Sequence, residues 1–322
     1  MKYPEFPKNN SVIGICAPSA GVGDKIDSFE ESLAVLRNEG YRIFETDHVR
    51  TDDMRSADAK TRAEELMSLF LDPEIDVVMS AAGGDFAFEI LPYIQWDVLC
   101  AHPKWLSGYS DPTSLLFPYT VKYDVATIYG RNAGSFDYGT SQRFIRDDLK
   151  LRKGKRIHLH NYPRRENPDE PGVFDLPDHW QSTEDSVYVR GRCVGGCMDV
   201  LKDLLGTPYD AMRSFNEKYA EDGTIFFFDN FGLNAQTFYN TLLQMKYAGW
   251  FDYTRAVIVG RTLFPSEYSI SYEEAMRLAL PDIPVIYNAD IGHTKPSMTM
   301  IMGAVMNLKY SRGKATISFD FR

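Results

Sequence analysis

The sequence predicts an α/β protein with an N-terminal parallel sheet domain and a smaller C-terminal mixed α/β domain. In residues 11–129, short apolar runs typical of buried strands alternate with segments of helical periodicity. Such alternation indicates a parallel sheet covered by helices on both faces. After residue 190 the pattern changes to longer strands, helices and a closing hairpin. With 322 residues the chain is long enough for two such domains.

The N-terminal elements follow one another regularly along the chain. Buried strands are predicted from apolar runs at residues 11–17, 41–44, 75–80, 105–106 and 126–129. Helices are predicted between them at residues 29–38, 61–71 and 88–98, and after Thr113. Ligands bind at the carboxyl ends of parallel strands, so the segments after these strands are expected to share one edge of the sheet.

The C-terminal elements begin after a segment with a different composition. Residues 151–190 are rich in Arg, Asp, Pro and His and lack periodicity, which predicts a connector between domains at residues 1–150 and 191–322. The second domain is expected to contain a glycine-led turn and helix at 193–205, and strands at 224–228, 256–259 and 284–287. Helices at 234–248 and 272–280 and a hairpin around residues 311–313 complete it.

Composition and charge exclude several classes of function. The formal net charge is −10 and the calculated pI about 5.2, which disfavours nucleic acid or an anionic membrane surface as the main partner. No apolar run approaches the roughly 18 residues of a membrane span, and the start of the sequence lacks a signal-peptide core, so we expect a cytoplasmic protein. Cys193 and Cys197 are half of a zinc-site pattern without a second pair. No dinucleotide fingerprint or phosphate loop follows the first strand, which disfavours a nucleotide or flavin binder.

A serine stands where a nucleophile is expected. The residues Gly-Tyr-Ser-Asp-Pro-Thr at 108–113 join a predicted strand to a predicted helix, and such a turn lifts the hydroxyl of Ser110 clear of the sheet. The N-terminus of the helix offers free backbone N–H groups to a developing oxyanion. Asp111 and Thr113 also suit helix capping, and the local pattern alone favours this purely structural interpretation.

Two further residues complete a candidate catalytic triad. His293 follows a predicted strand and a glycine, and it is the candidate base for the Ser110 proton. Asp229 ends the apolar strand at 224–228 and is the candidate carboxylate that orients the imidazole. The order Ser, Asp, His is that of α/β hydrolases. The second glycine of their G-x-S-x-G motif is absent, so a standard α/β hydrolase is not predicted.

The chain resembles the LD-carboxypeptidase family of serine peptidases, which also contains the microcin C immunity proteins. The resemblance extends through most of both halves. It rests on Gly-Tyr-Ser-Asp-x-Thr at 108–113, combined with Gly-Gly at 83–84 before it and Gly-Thr-Pro-Tyr at 206–209 after it. The Gly-Gly pair at 195–196 and the Gly-His pair at 292–293 match as well.

The resemblance implies a fold, a mechanism and a substrate class. It implies a flavodoxin-like N-terminal domain, a mixed α/β C-terminal domain, an active site between them and a homodimer without metal or cofactor. In the family's Ser-His-Glu triad, Ser110 matches the nucleophile and His293 the base, with backbone N–H groups of Gly84 and Asp111 as the oxyanion hole. The family releases D-alanine from cytoplasmic murein tetrapeptides by cleaving an L–D peptide bond. Its immunity branch cleaves an aminoacyl-nucleotide antibiotic instead.

The sequence departs from the family pattern at several positions. Asp229 replaces the family's glutamate and is one methylene shorter, so it reaches His293 only if the histidine loop moves inward. Cys197 replaces the asparagine of a Gly-Gly-Asn motif. Arg131 stands where proline is usual, and its guanidinium suits a substrate carboxylate. An exposed or ion-paired arginine is the alternative interpretation of Arg131.

Three functions therefore remain open from the sequence. The first is a serine carboxypeptidase that acts on murein tetrapeptides. The second is an immunity-type amidase that acts on a peptidyl-nucleotide, for which Phe86, Phe88 and Tyr109 are candidates to stack on a base. The third is a peptide binder that kept the fold without the chemistry, which only the exchange of glutamate for Asp229 supports.

Overall fold

The chain divides into two compact units of similar length. The computed structural model describes residues 1–264 and 270–322. The first unit comprises Met1–Lys155 together with Thr299–Ile301, and the second comprises Arg156–Met298 together with Met302–Arg322. The second unit, which we expected to be the smaller one, is about as long as the first because residues 156–190 belong to it.

The first unit is built on a sheet with the strand order β2-β1-β3-β4-β5-β14. The pairs from β2 through β5 are all parallel. The order 2-1-3-4-5 is that of flavodoxin-type sheets, in which ligands bind beyond the carboxyl ends of the strands. The strands are β1 (Val12–Cys16), β2 (Arg42–Glu45), β3 (Val77–Ser80), β4 (Trp105–Gly108), β5 (Thr127–Tyr129) and, from much later in the chain, β14 (Met300–Met302).

The helices of the first unit lie between these strands in sequence. They are α1 (Ile26–Asn38), α2 (Ala59–Leu71), α3 (Trp96–Ala101), α4 (Thr113–Val121) and α5 (Arg143–Arg152), with short 3-10 helices at Ala87–Tyr93 and Ala133–Ser135. Asp58 caps α2 by accepting from two backbone N–H groups. The single helix predicted at 88–98 is instead the 3-10 helix and α3, because Pro92 cannot donate a hydrogen bond to a continuous α-helix.

The second unit is built on a mixed sheet with the order β6-β16-β15-β10-β11-β12-β13-β9. The central pairs from β10 to β13 are parallel and the flanking pairs are antiparallel. Its strands are β6 (Leu159–His160), β9 (Gln181–Ser182), β10 (Ser186–Cys197), β11 (Thr224–Asp229), β12 (Thr254–Gly260), β13 (Val285–Ala289), β15 (Val305–Ser311) and β16 (Lys314–Asp320). The parallel sheet domain followed by a mixed sheet domain confirms the predicted fold class.

The helices of the second unit follow its parallel strands. They are α6 (Met198–Leu204), α7 (Met212–Lys218), α8 (Ala235–Tyr247) and α9 (Tyr272–Ala279). Asn234 caps α8 and Ser271 caps α9 through their side-chain oxygens. The glycine-led turn predicted at residue 193 is the end of strand β10, and the helix begins only at Met198. No helix within the described ranges is both long and apolar enough to cross a membrane.

The segment predicted as a connector at 151–190 differs most from expectation. Its first residues end α5, and residues 156–190 belong to the second unit. Within it, β6 and β9 form the two edges of the mixed sheet, and β7 (Arg164–Arg165) pairs with β8 (Leu176–Pro177) in a small ribbon. Strands of two residues are too short to show the alternation that predicts a strand, so composition alone suggested a linker.

A buried carboxylate ties several parts of the first unit together. Asp148 on α5 is fully buried and forms ion pairs with Arg131, at 3.0 Å, and with Arg152. Its Oδ2 also accepts a hydrogen bond from the hydroxyl of Thr299, next to β14. Arg152 in turn donates to Ser107 Oγ and to the backbone carbonyl of Arg131. Burial by itself raises the pKa of Asp148, but the two guanidinium groups outweigh burial, so the pKa lies below its ordinary value of 3.8.

We expect Asp148→Asn to lower the free energy of unfolding by about 3–5 kcal/mol at neutral pH, because two buried guanidinium groups lose their counter-charge. The ion pairs of Asp148 stabilise the fold fully above the ordinary pKa of 3.8, and this contribution is lost as the pH falls through the lowered value. Urea denaturation at several pH values measures both effects. The difference in the free energy of unfolding between wild type and Asp148→Asn should become smaller below about pH 4.

The control for this measurement is Glu64→Gln, which removes an exposed ion pair with Lys60 at 3.6 Å. Exposed pairs of this kind contribute about 0.3–0.5 kcal/mol. Equal destabilisation by the two substitutions would contradict the role given to Asp148.

Candidate active site

Ser110 has a backbone conformation that residues other than glycine rarely adopt. It lies between the end of β4 and the start of α4 with φ = +69°, in the left-handed region. For a residue other than glycine this conformation costs roughly 1–2 kcal/mol and persists only where the surrounding structure holds it. The carbonyl of Ser110 accepts a 2.9 Å hydrogen bond from the N–H of Thr113, which fastens the turn to the helix. The turn is therefore a strained strand-to-helix connection of the kind that exposes a nucleophile.

Two side chains from the next strand brace this turn. Asn132 Oδ1 accepts a 3.1 Å hydrogen bond from the N–H of Tyr109, and its Nδ2 donates to the carbonyl of the same residue at 3.4 Å. Tyr129 Oη accepts a 3.3 Å hydrogen bond from the N–H of Ser110. The sequence analysis missed both residues as parts of the site. The signal that could have found them is their position at the end of β5, the strand that pairs with β4.

The glycine turn after β3 passes close to the Ser110 hydroxyl. A methyl group placed on Gly83 would lie 3.5 Å from Ser110 Oγ. Within residues 1–264 and 270–322, no acceptor is bonded to the backbone N–H of Gly84 or of Asp111. Both amides are therefore available to a ligand, which is what an oxyanion hole requires. Their role remains a prediction.

The Asp111 side chain does not cap helix α4. Pro112, which carries no side-chain acceptor, occupies the N-cap of α4. The Asp111 carboxylate is turned toward the 3-10 helix instead, where it accepts a 2.7 Å hydrogen bond from the N–H of Ala87 and another from the Ser19 hydroxyl. Burial raises the pKa of Asp111, and these hydrogen bonds oppose the rise. The side chain thus fastens the Gly-Gly turn region while its N–H stays available.

Arg131 lies in the buried cluster around Asp148. Only 8% of its side chain is exposed, and the guanidinium packs 4.8 Å from the ring centre of Phe144. The ion pair with Asp148 is the alternative that the sequence left open for this residue. It gives Arg131 a structural task next to Asn132, and the contact with substrate remains only a prediction.

The aromatic candidates near Ser110 are both partly exposed. Tyr109 meets the ring of Tyr129 edge-on, with 6.4 Å between the ring centres. The Phe86 ring is covered on one side by the guanidinium of Arg55, 3.5 Å from the ring centre. Each leaves ring surface available for stacking, and the contact of these rings with a substrate stays a prediction.

His293 and Asp229 lie together in the second unit. Nδ1 of His293 is 2.8 Å from Oδ2 of Asp229, and the carboxylate is fully buried whereas 14% of the histidine side chain is exposed. Asp229 ends β11, and His293 lies in the loop after β13. The shorter carboxylate therefore does reach the imidazole. A buried carboxylate at this distance favours the Nδ1–H tautomer, which leaves Nε2 to accept a proton.

Gly292 explains how an aspartate closes this distance. Its φ is +95°, and a Cβ atom at this position would overlap Oδ1 of Asp229. Only glycine combines that backbone conformation with so close an approach. The loop therefore approaches the strand end closely enough to compensate for the missing methylene.

A buried arginine holds the histidine loop from behind. Arg261, directly after β12, forms ion pairs with Asp178 and Asp290. Its Nε donates to Thr294 Oγ1 at 2.8 Å and its Nη2 to the carbonyl of Pro296 at 2.5 Å, so it contacts the loop just beyond His293. Nothing in the local sequence around Arg261 marks this role, because its partners lie far away in the chain.

The loop after Asp229 adds an aromatic contact to the imidazole. The ring of Phe231 lies against His293, with 4.5 Å between the ring centres. Asp199, in the first turn of α6, accepts hydrogen bonds from the N–H groups of Phe231 and Gly232. Neither Phe231 nor Asp199 was identified from the sequence, because nothing local marks a contact between residues so far apart in the chain.

Cys193 and Cys197 are both buried in strand β10. In the described part of the chain, no group of three or more His, Cys, Asp or Glu residues is arranged to hold a metal ion. Cys197 pairs in register with Asp229 across β10 and β11. Burial raises the pKa of its thiol, so Cys197 is a neutral packing residue at physiological pH.

Comparisons with known proteins agree with this architecture. Residues 13–130 match the model of the LD-carboxypeptidase N-terminal domain, and residues 190–308 match that of the LD-carboxypeptidase C-terminal domain. The putative carboxypeptidase YocD of Bacillus subtilis is 24% identical over 329 residues, covering 99% of both chains. The microcin C7 self-immunity protein MccF of Escherichia coli is 25% identical over 342 residues, covering 95% of this chain and 96% of MccF.

Solved structures have the same fold. MccF in complex with aspartyl sulfamoyl adenosine superposes with a TM-score of 0.83 at 22% identity, covering 99% of this chain and 98% of MccF. The muramoyltetrapeptide carboxypeptidase of Oxalobacter formigenes superposes with a TM-score of 0.77 at 20% identity, covering 97% and 99% of the two chains. The resemblance predicted from the sequence is thereby confirmed.

We expect Gly292→Ala to destabilise the protein by several kcal/mol, because it adds a steric overlap with Asp229 to the cost of the backbone conformation. Gly139→Ala is the matched control, since Gly139 also has a positive φ (+68°) but would place its Cβ in open space. Gly139→Ala should lower the free energy of unfolding by only about 1–2 kcal/mol. Urea denaturation compares the two, and similar values would contradict the close approach at Gly292.

Proposed function

This chain belongs to the LD-carboxypeptidase family, and from that premise we propose that it is a serine carboxypeptidase that hydrolyses the L–D peptide bond of murein tetrapeptides and releases D-alanine. In this proposal the catalytic residues are Ser110, His293 and Asp229. The proposed enzyme needs no metal or cofactor and acts in the cytoplasm as a homodimer, as the family resemblance implies. Its partner is a small peptide substrate.

The observation that carries the proposal is the 2.8 Å contact between Asp229 and His293. The exchange of glutamate for aspartate was the main reason in the sequence to doubt catalysis. The contact removes that reason, because the carboxylate is within hydrogen-bonding distance of Nδ1 and fully buried. The strained conformation of Ser110 supports the proposal independently, since strain of this kind is concentrated at functional sites.

The proposed reaction proceeds in two steps. Ser110 Oγ attacks the scissile carbonyl carbon while His293 Nε2 takes the hydroxyl proton, and the amides of Gly84 and Asp111 donate to the oxyanion. The C–N bond then breaks as His293 gives the proton to the leaving amine, and an acyl-enzyme remains on Ser110. Water attacks the ester with His293 again as the base, which frees the acid product and restores the serine. Asp229 holds the imidazole in the correct tautomer and stabilises its positive charge throughout.

The alternative substrate is an aminoacyl-nucleotide. MccF has been solved with aspartyl sulfamoyl adenosine and with glutamyl sulfamoyl guanosine, which shows that this fold can accommodate such ligands in that protein. In this chain, the half-buried aromatic residues Phe86 and Tyr109 are the candidates to stack on the base of such a ligand. A non-catalytic peptide binder is disfavoured by the Asp229–His293 contact, which such a protein would not need.

The test of the proposal is D-alanine release from a murein tetrapeptide. We expect wild type to release D-alanine and Ser110→Ala to lower turnover by at least about 10³-fold while the protein stays folded, because the nucleophile is lost. Ser114→Ala is the matched control, since that serine lies four residues further on, fully buried in α4. It should keep wild-type turnover.

Turnover by Ser110→Ala at the wild-type rate would refute the assignment of the nucleophile. If wild type releases no D-alanine and instead hydrolyses an aminoacyl sulfamoyl nucleoside or its carboxamide analogue, aminoacyl-nucleotides replace murein tetrapeptides as the proposed substrate class.

A second prediction concerns the acid of the triad. Asp229→Asn should lower kcat by roughly 10²–10⁴-fold, because an amide favours the wrong imidazole tautomer and cannot stabilise the imidazolium. Steady-state kinetics measures the loss, with circular dichroism to verify the fold. Asp203→Asn, at an exposed position on α6, is the control and should leave kcat unchanged. A rate within threefold of wild type for Asp229→Asn would remove Asp229 from the triad.

A further inference from the structure

Phe231 is an exposed aromatic residue that packs against the candidate base. Its side chain is 46% exposed, whereas large apolar side chains are more often buried. The ring lies tilted against the His293 imidazole, with 4.5 Å between ring centres and 41° between the planes. Nearly half of Phe231 therefore remains exposed to solvent beside the imidazole. Because it lies beside the candidate base, the exposed part of the ring is a candidate contact surface for a bound ligand.

The backbone of the loop that carries this ring is held by hydrogen bonds. The Asp199 carboxylate accepts a hydrogen bond from the N–H of Phe231 at 2.9 Å and one from the N–H of Gly232 at 2.9 Å. Asn230 Nδ2 donates to the carbonyl of Leu233 at 2.9 Å and closes the same loop. A loop whose backbone is fixed in this way loses little conformational entropy when a ligand contacts its side chains, so the contact contributes more to binding.

The position of the ring relative to the chemistry follows from the role of the base. In acyl transfer by a serine nucleophile, the histidine protonates the leaving amine, so its Nε2 must lie beside the leaving group. A group packed against that imidazole is therefore close to the leaving residue. This step depends on the proposed function of His293.

We propose that Phe231 is a specificity-determining residue that contacts the side chain of the leaving residue and selects for an apolar one. An apolar side chain on that residue covers the exposed face of the ring and excludes water from both surfaces. A polar side chain of the same size must give up hydration at the ring without gaining a hydrogen bond there. The proposal predicts discrimination by polarity at equal size.

The test uses two tetrapeptides that differ only in the terminal residue, D-2-aminobutyrate or D-serine, which replace a methyl group by a hydroxyl. We expect wild type to have a roughly tenfold higher kcat/KM for the aminobutyrate peptide, near the lower limit for one apolar group in a pocket. Phe231→Ala should reduce this ratio to about twofold or less, whereas Phe231→Leu should keep most of it. Phe231→Gln, which replaces the apolar ring by a polar side chain, should abolish the preference and serves if the alanine variant does not fold.

Tyr247→Ala is the matched control, because this aromatic side chain on α8 is 77% exposed. It should leave the ratio at the wild-type value. A ratio rather than a rate is compared because any loosening of His293 lowers both kcat/KM values together and cancels.

The outcomes separate the two proposals. If wild type hydrolyses both peptides and the Phe231 variants keep the wild-type ratio, the role of Phe231 is wrong and the carboxypeptidase function stands. If wild type hydrolyses the D-2-aminobutyrate and D-serine peptides equally well, the role of Phe231 is wrong as well and the carboxypeptidase function stands. If wild type hydrolyses neither these peptides nor the D-alanine peptide, the proposed function fails and the specificity proposal fails with it. An imidazole NMR signal of His293 that shifts when Phe231 is changed to leucine verifies the stacking without reference to activity.

Discussion

A carboxylate without solvent contact, at the end of β11, is the constraint on which the second unit's part of the site depends. Burying a charge is costly unless a partner and hydrogen bonds compensate for the lost hydration. The partner of Asp229 is His293, at 2.8 Å, and Gly292 lets the histidine loop approach the carboxylate this closely. The same loop is fastened on its far side by Arg261. The imidazole is thus fixed at its edge by a charge and on its face by Phe231.

The first unit solves a related problem with different means. Ser110 has a backbone conformation that is unfavourable for any residue with a side chain. Interactions with neighbouring groups must therefore supply the free energy that holds it there. Asn132 and Tyr129 do this from the adjacent strand. Asn132 directly follows Arg131, whose ion pair with Asp148 fixes that part of the chain. In both units, a buried arginine–carboxylate pair lies behind the segment that presents a functional group.

Much of the fold and part of the site were predictable from the sequence, for reasons that particular residues illustrate. The apolar runs of β3 and β11 identify buried strands without any knowledge of their neighbours. The positions of Ser110, Asp229 and His293 after strands were enough to suggest that they carry function. What the sequence could not show were contacts between segments far apart in the chain. The partner of Arg131 and the packing of Phe231 on His293 are of this kind.

The segment at residues 156–190 was misjudged for another reason. Its strands are two residues long and take their conformation from the edges of the sheet on which they lie, so their own residues carry almost no pattern. Asp111 shows the same limit on a smaller scale. A helix-start sequence predicted a cap, whereas tertiary packing turned the carboxylate toward Ala87.

The three residues Thr299–Ile301 have a consequence for how the protein is made. They complete the sheet of the first unit beside β5, and Thr299 supplies a hydrogen bond to the buried Asp148. The ribosome delivers them after nearly all of the second unit. The first unit therefore cannot reach its final structure while the chain is still growing, although the other five strands of its sheet are synthesised first. During that interval the edge of β5 stays open to pairing with other chains.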